Sequence, residues 1–353
     1  MSAMTVPQIF AVLHEQGLVA DPLVPGLPVR PLGTPWYVRV MAGFGAWLGG
    51  LFLLGSVMAI LSAVVHSSGG MMVLGAGALV AAYVIYRAAG DREALQQLAL
   101  ACSMAGQFSL GFGVEDLFNL GTVPLAGVLF LLQAALTLLM ANPLHRFLSA
   151  WFAALAAYWF LFRLQAESLG AALLAASVTW IWLNEAAWTA ARRATLWRPV
   201  GYALALALLF WEAPFSIISW TLEWGQQSVK LGVPHWLAAP AYALCLAAAA
   251  AVLARRLVPQ KTAVCVAAAL LASAAAWLAP GLLAALLVLI LGQAAGKRIL
   301  TGLALLAALW YLGAYYYQLQ LTLLEKSGVM LGTGALLLAM RFALSIFWPE
   351  KKP

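Results

Sequence analysis

Three ionisable side chains, Glu185, Glu212 and Arg341, fall at the depth of long apolar runs in this sequence. An ionised group inside a bilayer costs on the order of 3 kcal/mol or more unless it is paired or hydrated, so each is a candidate functional site. Glu212 stands in Trp-Glu-Ala-Pro at 211–214. Pro214 has no N–H to donate, so it frees a backbone carbonyl one turn back and kinks a helix. A carboxylate beside freed carbonyls is the arrangement that holds a cation or a proton in a broken transporter helix. A hydrogen-bonded carboxylic acid near an interface is the other reading of the same residues. Glu185 and Arg341 lie roughly 8 and 10 Å from the same side of the membrane at 1.5 Å of rise per residue. Their matched depth makes them an expected ion pair, with Asn184 beside it. Such a pair either pins two helices together or gates a charged path. Gln107, Gln133 and Gln293 are expected buried amides, which more often join helices than bind ligands.

Catalytic sets are missing from the sequence. His14, His66, His145 and His235 fall near expected helix ends or loops, and no pair has helical metal spacing. There is no HExxH, GxSxG or P-loop pattern. Cys102, Cys245 and Cys265 sit inside apolar runs with no CxxC, which predicts neither a disulfide framework nor a zinc site. No catalytic residue, metal or cofactor is therefore assigned, and the chain reads as a non-enzyme.

The elements that must hold these residues follow from composition. Of the 353 residues, 65% are hydrophobic and 9% charged. A soluble domain carries about 25% charged residues. So much apolar surface is accommodated where lipid, as well as protein, surrounds it. The net charge of +7 comes from short basic clusters between apolar runs, which are topology signals and not a nucleic-acid surface.

A spanning helix takes about 20 apolar residues. The pattern predicts an all-α polytopic membrane bundle with helices near 39–64, 69–88, 94–114, 122–141, 146–163, 168–190, 199–220, 235–254, 262–279, 280–296, 299–318 and 328–348. The stretch 262–296 is either two short helices or a re-entrant hairpin, because Pro280-Gly281 marks a turn in its middle. Residues 1–38 read as an amphipathic helix at 5–17 followed by a proline-rich linker, 39–348 as the membrane domain, and 349–353 as a tail. No apolar signal-peptide core opens the chain, so insertion is expected to begin at the first membrane helix.

With the N-terminus inside, the inner connections hold fifteen cations, from Arg30 and Arg39 through Arg192, Arg193 and Arg198 to Lys351 and Lys352. The outer ones hold three: Arg163, Lys230 and Lys326. The positive-inside rule then predicts twelve spans with both termini cytoplasmic, in an inner membrane. Trp36, Trp197 and Trp348 at inner boundaries, and Trp220, Trp224, Trp236 and Tyr315–Tyr317 at outer ones, read as interfacial anchors. Gly45/Gly49 and Gly328/Gly332 form GxxxG spacings that predict close helix packing on those faces.

Two stretches carry a resemblance. PWYVRVMAGFGAWLGGLFLLG at 35–55 and YYYQLQLTLLEKSGVMLGTGALLL at 315–338, with Trp-Glu-Ala-Pro at 211–214 between them, resemble the bacterial membrane-protein family described as domain of unknown function 4401. The resemblance implies a multi-helix inner-membrane protein without an assigned reaction, so it carries over no catalytic residue. It implies partners: a related membrane protein and a small exported protein with a Gly-Asp-Tyr motif. Glu325 and Lys326, within Leu-Leu-Glu-Lys-Ser at 323–327, become candidate partner contacts, or simply precede a helix that Ser327 caps.

Two functions are thus expected from the sequence. The first is a membrane subunit or scaffold of an envelope complex, binding lipid and protein partners. The alternative is a small-solute or ion transporter using Glu212 and a Glu185–Arg341 pair. A water-filled cavity reaching Glu212 favours transport, and a packed Glu212 favours the subunit.

Overall fold

The computed structural model describes residues 67–90, 92–212, 237–276 and 280–318, with isolated positions such as His14, Glu15, Met41, Gly45, Leu48, Gly49, Gly328 and Leu338. The described residues are helical apart from turns and one 3-10 turn at Pro259–Lys261. The helices are α1 Ser68–Ala89, α2 Glu93–Phe118, α3 Thr122–Leu139, α4 Pro143–Arg163, α5 Glu167–Leu183, α6 Glu185–Ala190, α7 Ala194–Trp211, α8 Ala238–Leu257, α9 Thr262–Ala275, α10 Pro280–Ala294 and α11 Arg298–Gln318. Ten of the predicted segments coincide with them. The amphipathic segment at 5–17 and the predicted helices at 39–64 and 328–348 lie almost wholly outside the described residues.

Local chemistry sets the helix ends. The Ser67 hydroxyl accepts from the Gly70 N–H at the start of α1, and Gly90 turns the chain at φ +52° where a side chain is disfavoured. Asn119 closes α2 in the left-handed region, the conformation asparagine tolerates best after glycine. Asn142 caps α4, its Oδ1 accepting from the N–H groups of Leu144 and His145, and Pro143 takes the first helical position where no N–H is needed.

Four helices, α1, α3, α7 and α8, are long and apolar enough to cross a bilayer, while α5, α10 and much of α11 are apolar but shorter. These helices mark the chain as a membrane protein. The core gathers around α10. Its Leu283, Leu287 and Leu291, one turn apart, are buried against α5, α7, α8 and α11 beside Val178, Leu208, Leu246 and Leu300. The stretch 262–296 holds two helices, α9 and α10, as both expected arrangements require. α9 packs chiefly on α8, while α10 enters the core.

α1 and α2 lie so close that a Cβ on Gly75 would sit 2.6 Å from the Leu110 backbone nitrogen, and one on Gly106 would sit 2.8 Å from the Gly75 carbonyl oxygen. At Gly45, Gly49 and Gly328, where the spacing predicts close packing, an added Cβ meets open space. The small-residue seam among the described residues therefore belongs to α1 and α2.

Two helices depart from the pattern. The segment expected at 168–190 breaks at Asn184 into α5 and α6. The Asn184 amide donates to the Trp180 carbonyl, competing with the backbone ladder as asparagine does. Helix α7 begins at Ala194, ahead of the expected start at 199, and carries Pro199 inside. Proline leaves the carbonyl of Thr195, four residues back, without its helical donor. Arg146 of α4 fills the gap, its Nη1 donating to the Thr195 oxygen at 3.2 Å.

Candidate functional site

Glu212 directly follows the last residue of α7. Its carboxyl is half-buried and accepts a 2.7 Å hydrogen bond from the hydroxyl of Tyr242, a fully buried residue of α8. The nearby carbonyl of Leu209, three residues before it, accepts from the Tyr311 hydroxyl of α11. Tyr311 reaches it because its ring lies over Gly281 of α10, where any Cβ would come within 2.8 Å of the ring. Two tyrosine hydroxyls thus occupy a carboxyl oxygen and a helix-end carbonyl in the neighbourhood where the sequence points to a cation or proton. Pro214, the other half of that motif, lies outside the described residues.

Glu185 opens α6, just past the apolar α5, at the basic end of the bundle. The depth expected for it assumes one unbroken helix through Asn184. Its Oε1 is a hub: Arg198 Nε donates at 2.8 Å and Nη2 at 2.7 Å, and Lys297 Nζ lies at 3.2 Å. Arg198 Nη2 also donates to the Thr189 hydroxyl. One carboxylate therefore ties α6 to α7 and to the α10–α11 turn. Beside it, Arg256 of α8 donates to the Leu183 carbonyl at the end of α5. Asn184 spends its amide on Trp180. Arg341, the partner expected for Glu185, and the outer pair Glu325 and Lys326 lie outside the described residues.

Partial burial pushes the Glu185 carboxyl up, but the hydrogen bonds and charges of Arg198 and Lys297 together hold it below the usual carboxylate range. A lowered folded value means that this stabilisation is complete at neutral pH and fades as acid protonates the folded carboxylate. Glu185→Gln is expected to cost about 1.5–3 kcal/mol at pH 7, the value of hydrogen bonds to a charged group. The difference from wild type should shrink as the pH falls through and below the ordinary carboxylate range in thermal unfolding of the detergent-solubilised protein, because the wild type then loses its own charge. A gap that stays constant as acid protonates the carboxylates would remove the ion pair from the explanation.

A third polar group runs through α2, α3 and α4. The His145 imidazole, 0% exposed, bridges two buried serines: Ser103 Oγ lies 2.7 Å from Nε2 and Ser149 Oγ 3.1 Å from Nδ1. Gln107 Nε2 donates to Ser103 at 3.0 Å, and Gln133 Nε2 donates to Gln107 Oε1 at 2.7 Å. Gln107 and Gln133 are buried amides, as their setting in apolar runs predicts, whereas Gln293 near the end of α10, expected to be a third, is exposed. Ser103, Ser149 and the burial of His145 escape sequence reasoning, because His145 stands near a helix start. A signal is present all the same: Ser103/Gln107, Gln133/Thr137 and His145/Ser149 are each four apart, placing polar pairs on one face of three successive helices.

Cavities flank this chain of side chains. One of about 540 Å³ lies between α2, α3 and α4 with Gln107 and Gln133 in its wall, and one of about 220 Å³ lies beside Tyr86, Gln97 and Asn142. Glu212 lines neither of the two.

No curated protein and no solved structure matches this chain. A family match covers residues 35–346, which takes in every helix from α1 to α11. The chain therefore belongs to the family described as domain of unknown function (DUF4401).

Proposed function

We propose that this protein is a non-enzymatic, multi-pass subunit of a bacterial envelope complex, spanning the inner membrane twelve times with both termini in the cytoplasm. The observation that carries the reading is the pairing at Glu212. Tyr242 holds its carboxyl and Tyr311 holds the adjacent Leu209 carbonyl, so both groups serve as helix clamps joining α7 to α8 and α11. Glu185 does the same for α6, α7 and the α10–α11 turn. A rigid membrane core of this kind suits a partner-binding role better than an alternating one. The excess of inner cations supports the orientation. The family's company, a related membrane protein and a small exported protein, supports the partners, with Glu325, Lys326 and the N-terminal arm as their contacts.

A tagged chain, extracted from its own membranes in mild detergent, is expected to bring down one such partner in stoichiometric amount. Recovery as a partner-free protein under several mild detergents would overturn the reading. Glu212→Gln abolishing solute flux in proteoliposomes, with the fold intact, would replace it with transport.

A further inference from the structure

Three connections at one end of the bundle, α6–α7, α8–α9 and α10–α11, meet near a single carboxylate. Glu185 Oε1 holds Arg198 Nη2 at 2.7 Å and Lys297 Nζ at 3.2 Å, so two cations crowd one oxygen. Arg256 joins from α8, donating to the Leu183 carbonyl two residues before Glu185. Thr189 ties in the α6–α7 turn: its hydroxyl accepts from Arg198, and its carbonyl accepts from the Arg192 N–H. Arg192, Arg193, Arg255, Arg256 and Arg298 are all exposed. Glu185 is the one acidic residue in 184–198, 255–261 and 293–301, so the charge gathered here is far from balanced.

Basic connections are topology signals wherever they occur. Two further features set this group apart. The first is backbone. The turn that ends α6 closes with the Arg193 N–H on the Trp188 carbonyl and the Arg192 N–H on the Thr189 carbonyl, the pattern that glycine normally serves. Arg192 takes the glycine position, at φ +56°. A left-handed backbone disfavours a side chain, so an exposed arginine is kept there against local preference. The second is the company of the cations. Leu257 and Ile299, each directly after an arginine, are 76% and 69% exposed. Trp188 and Trp197, on either side of the α6–α7 turn, stack with ring centroids 5.0 Å apart, and tryptophan collects at headgroup level.

A soluble acidic partner would answer the arginines and leave Leu257 and Ile299 bare. A phospholipid answers both, with phosphate for guanidinium and acyl chain for the apolar side chains. A choline or ethanolamine headgroup would bring its own cation into a field already positive, so the headgroup must carry net negative charge. We propose that the basic end of the bundle binds an anionic phospholipid of the adjoining leaflet. Its phosphate lies among the arginines gathered round Glu185, Arg192 and Arg193 foremost, and its chains lie along Leu257 and Ile299. The Glu185 hub fixes the connections that carry these arginines. The site stands whether the chain serves a protein partner or a solute.

The test is native mass spectrometry of the full-length protein in mild detergent, titrated with phosphatidylglycerol or with phosphatidylcholine of the same chains. The first phosphatidylglycerol is expected to bind about tenfold more tightly than the first phosphatidylcholine, the factor that about 1.4 kcal/mol supplies. Arg192→Gly combined with Arg193→Gln should weaken phosphatidylglycerol at least about fivefold, since one arginine near an anionic lipid contributes about 1 kcal/mol. Glycine suits the left-handed position better than arginine does, so that loss would not come from a damaged fold. The control is Arg87→Gln combined with Arg92→Gln. The α1–α2 connection lies at the same end of the bundle, linked through Gln96 to Asn142 and through Arg146 to Thr195. Its phosphatidylglycerol affinity should stay within about twofold of wild type, well below the factor for one arginine. Equal affinity of wild type for the two lipids, or no adduct with either, would overturn the proposal. So would an unaffected Arg192/Arg193 variant, and so would an equal loss in the control, which would reduce the effect to diffuse surface charge. Excess glycerol phosphate should leave the lipid in place; displacement would assign the arginines to a soluble phosphate instead.

Discussion

His145→Ala is expected to be among the most damaging single substitutions in this protein, lowering its stability by about 3–5 kcal/mol. The imidazole is fully buried and pairs both ring nitrogens. Its removal takes partners from two buried serine hydroxyls and leaves a ring-sized hole. In a water-exposed helix the serines would hydrate at once. Here neither is reachable, since Ser103 and Ser149 are each 0% exposed. The loss should propagate, because Ser103 is what orients Gln107. Thermal unfolding followed by tryptophan fluorescence in detergent is the measurement. His145→Gln, which keeps a donor and an acceptor, should recover part of the loss. A shift within about 0.5 kcal/mol of wild type, the range of ordinary surface substitutions, would show that the network contributes little.

The second large effect is steric. Gly75→Ala adds one methyl group, and that methyl would lie 2.6 Å from a backbone nitrogen and 2.8 Å from a backbone oxygen of α2. Backbone cannot rotate aside as a side chain can, so α1 must move away from α2. The expected cost is about 2–3 kcal/mol, at the upper end for overpacking. Gly77→Ala on the same helix is the control. Its Cβ meets open space, so helix propensity alone predicts a gain of up to about 1 kcal/mol. The two variants share composition and differ by half a turn of helix. If both melt alike, the α1–α2 contact is not as close as described.

Much of the fold is legible because a lipid-facing helix needs a long apolar run, and such runs stand out in any reading of this sequence. The boundaries are less so. The pattern Trp-Leu-Asn-Glu-Ala-Ala-Trp stays apolar enough to hide the break at Asn184, which depends on a side chain turning back to Trp180. Pro199 looks like a helix start because proline is favoured there, yet a cation from another helix makes an interior position tolerable. GxxxG spacings point to a glycine seam elsewhere. The glycines that matter are Gly75 on one helix and Gly106 and Gly113 on another, and pairing across helices is not visible in spacing along one.

The candidate site divides in the same way. Glu185 and Glu212 stand out by charge in an apolar setting, which needs no partner to be noticed. Their partners do not. Depth matching points to Arg341, which lies outside the described residues, for Glu185; the partners that the structure describes, Arg198, thirteen residues on in the chain, and Lys297, are not foreseen by it. Tyr242 and Tyr311 carry no sign of their role, since tyrosine in a membrane helix reads as an ordinary large side chain. A lone polar residue announces itself, whereas a partner is known only when the chain has folded.

The arginine at 146 changes what the proline at 199 means. An intrahelical bond has been exchanged for one between helices, so a residue usually regarded as a breaker works as a connector. Tolerance of proline in α7 is thereby made conditional on a guanidinium in α4. The two positions should vary together across the family, and either one alone would leave a carbonyl or a cation stranded.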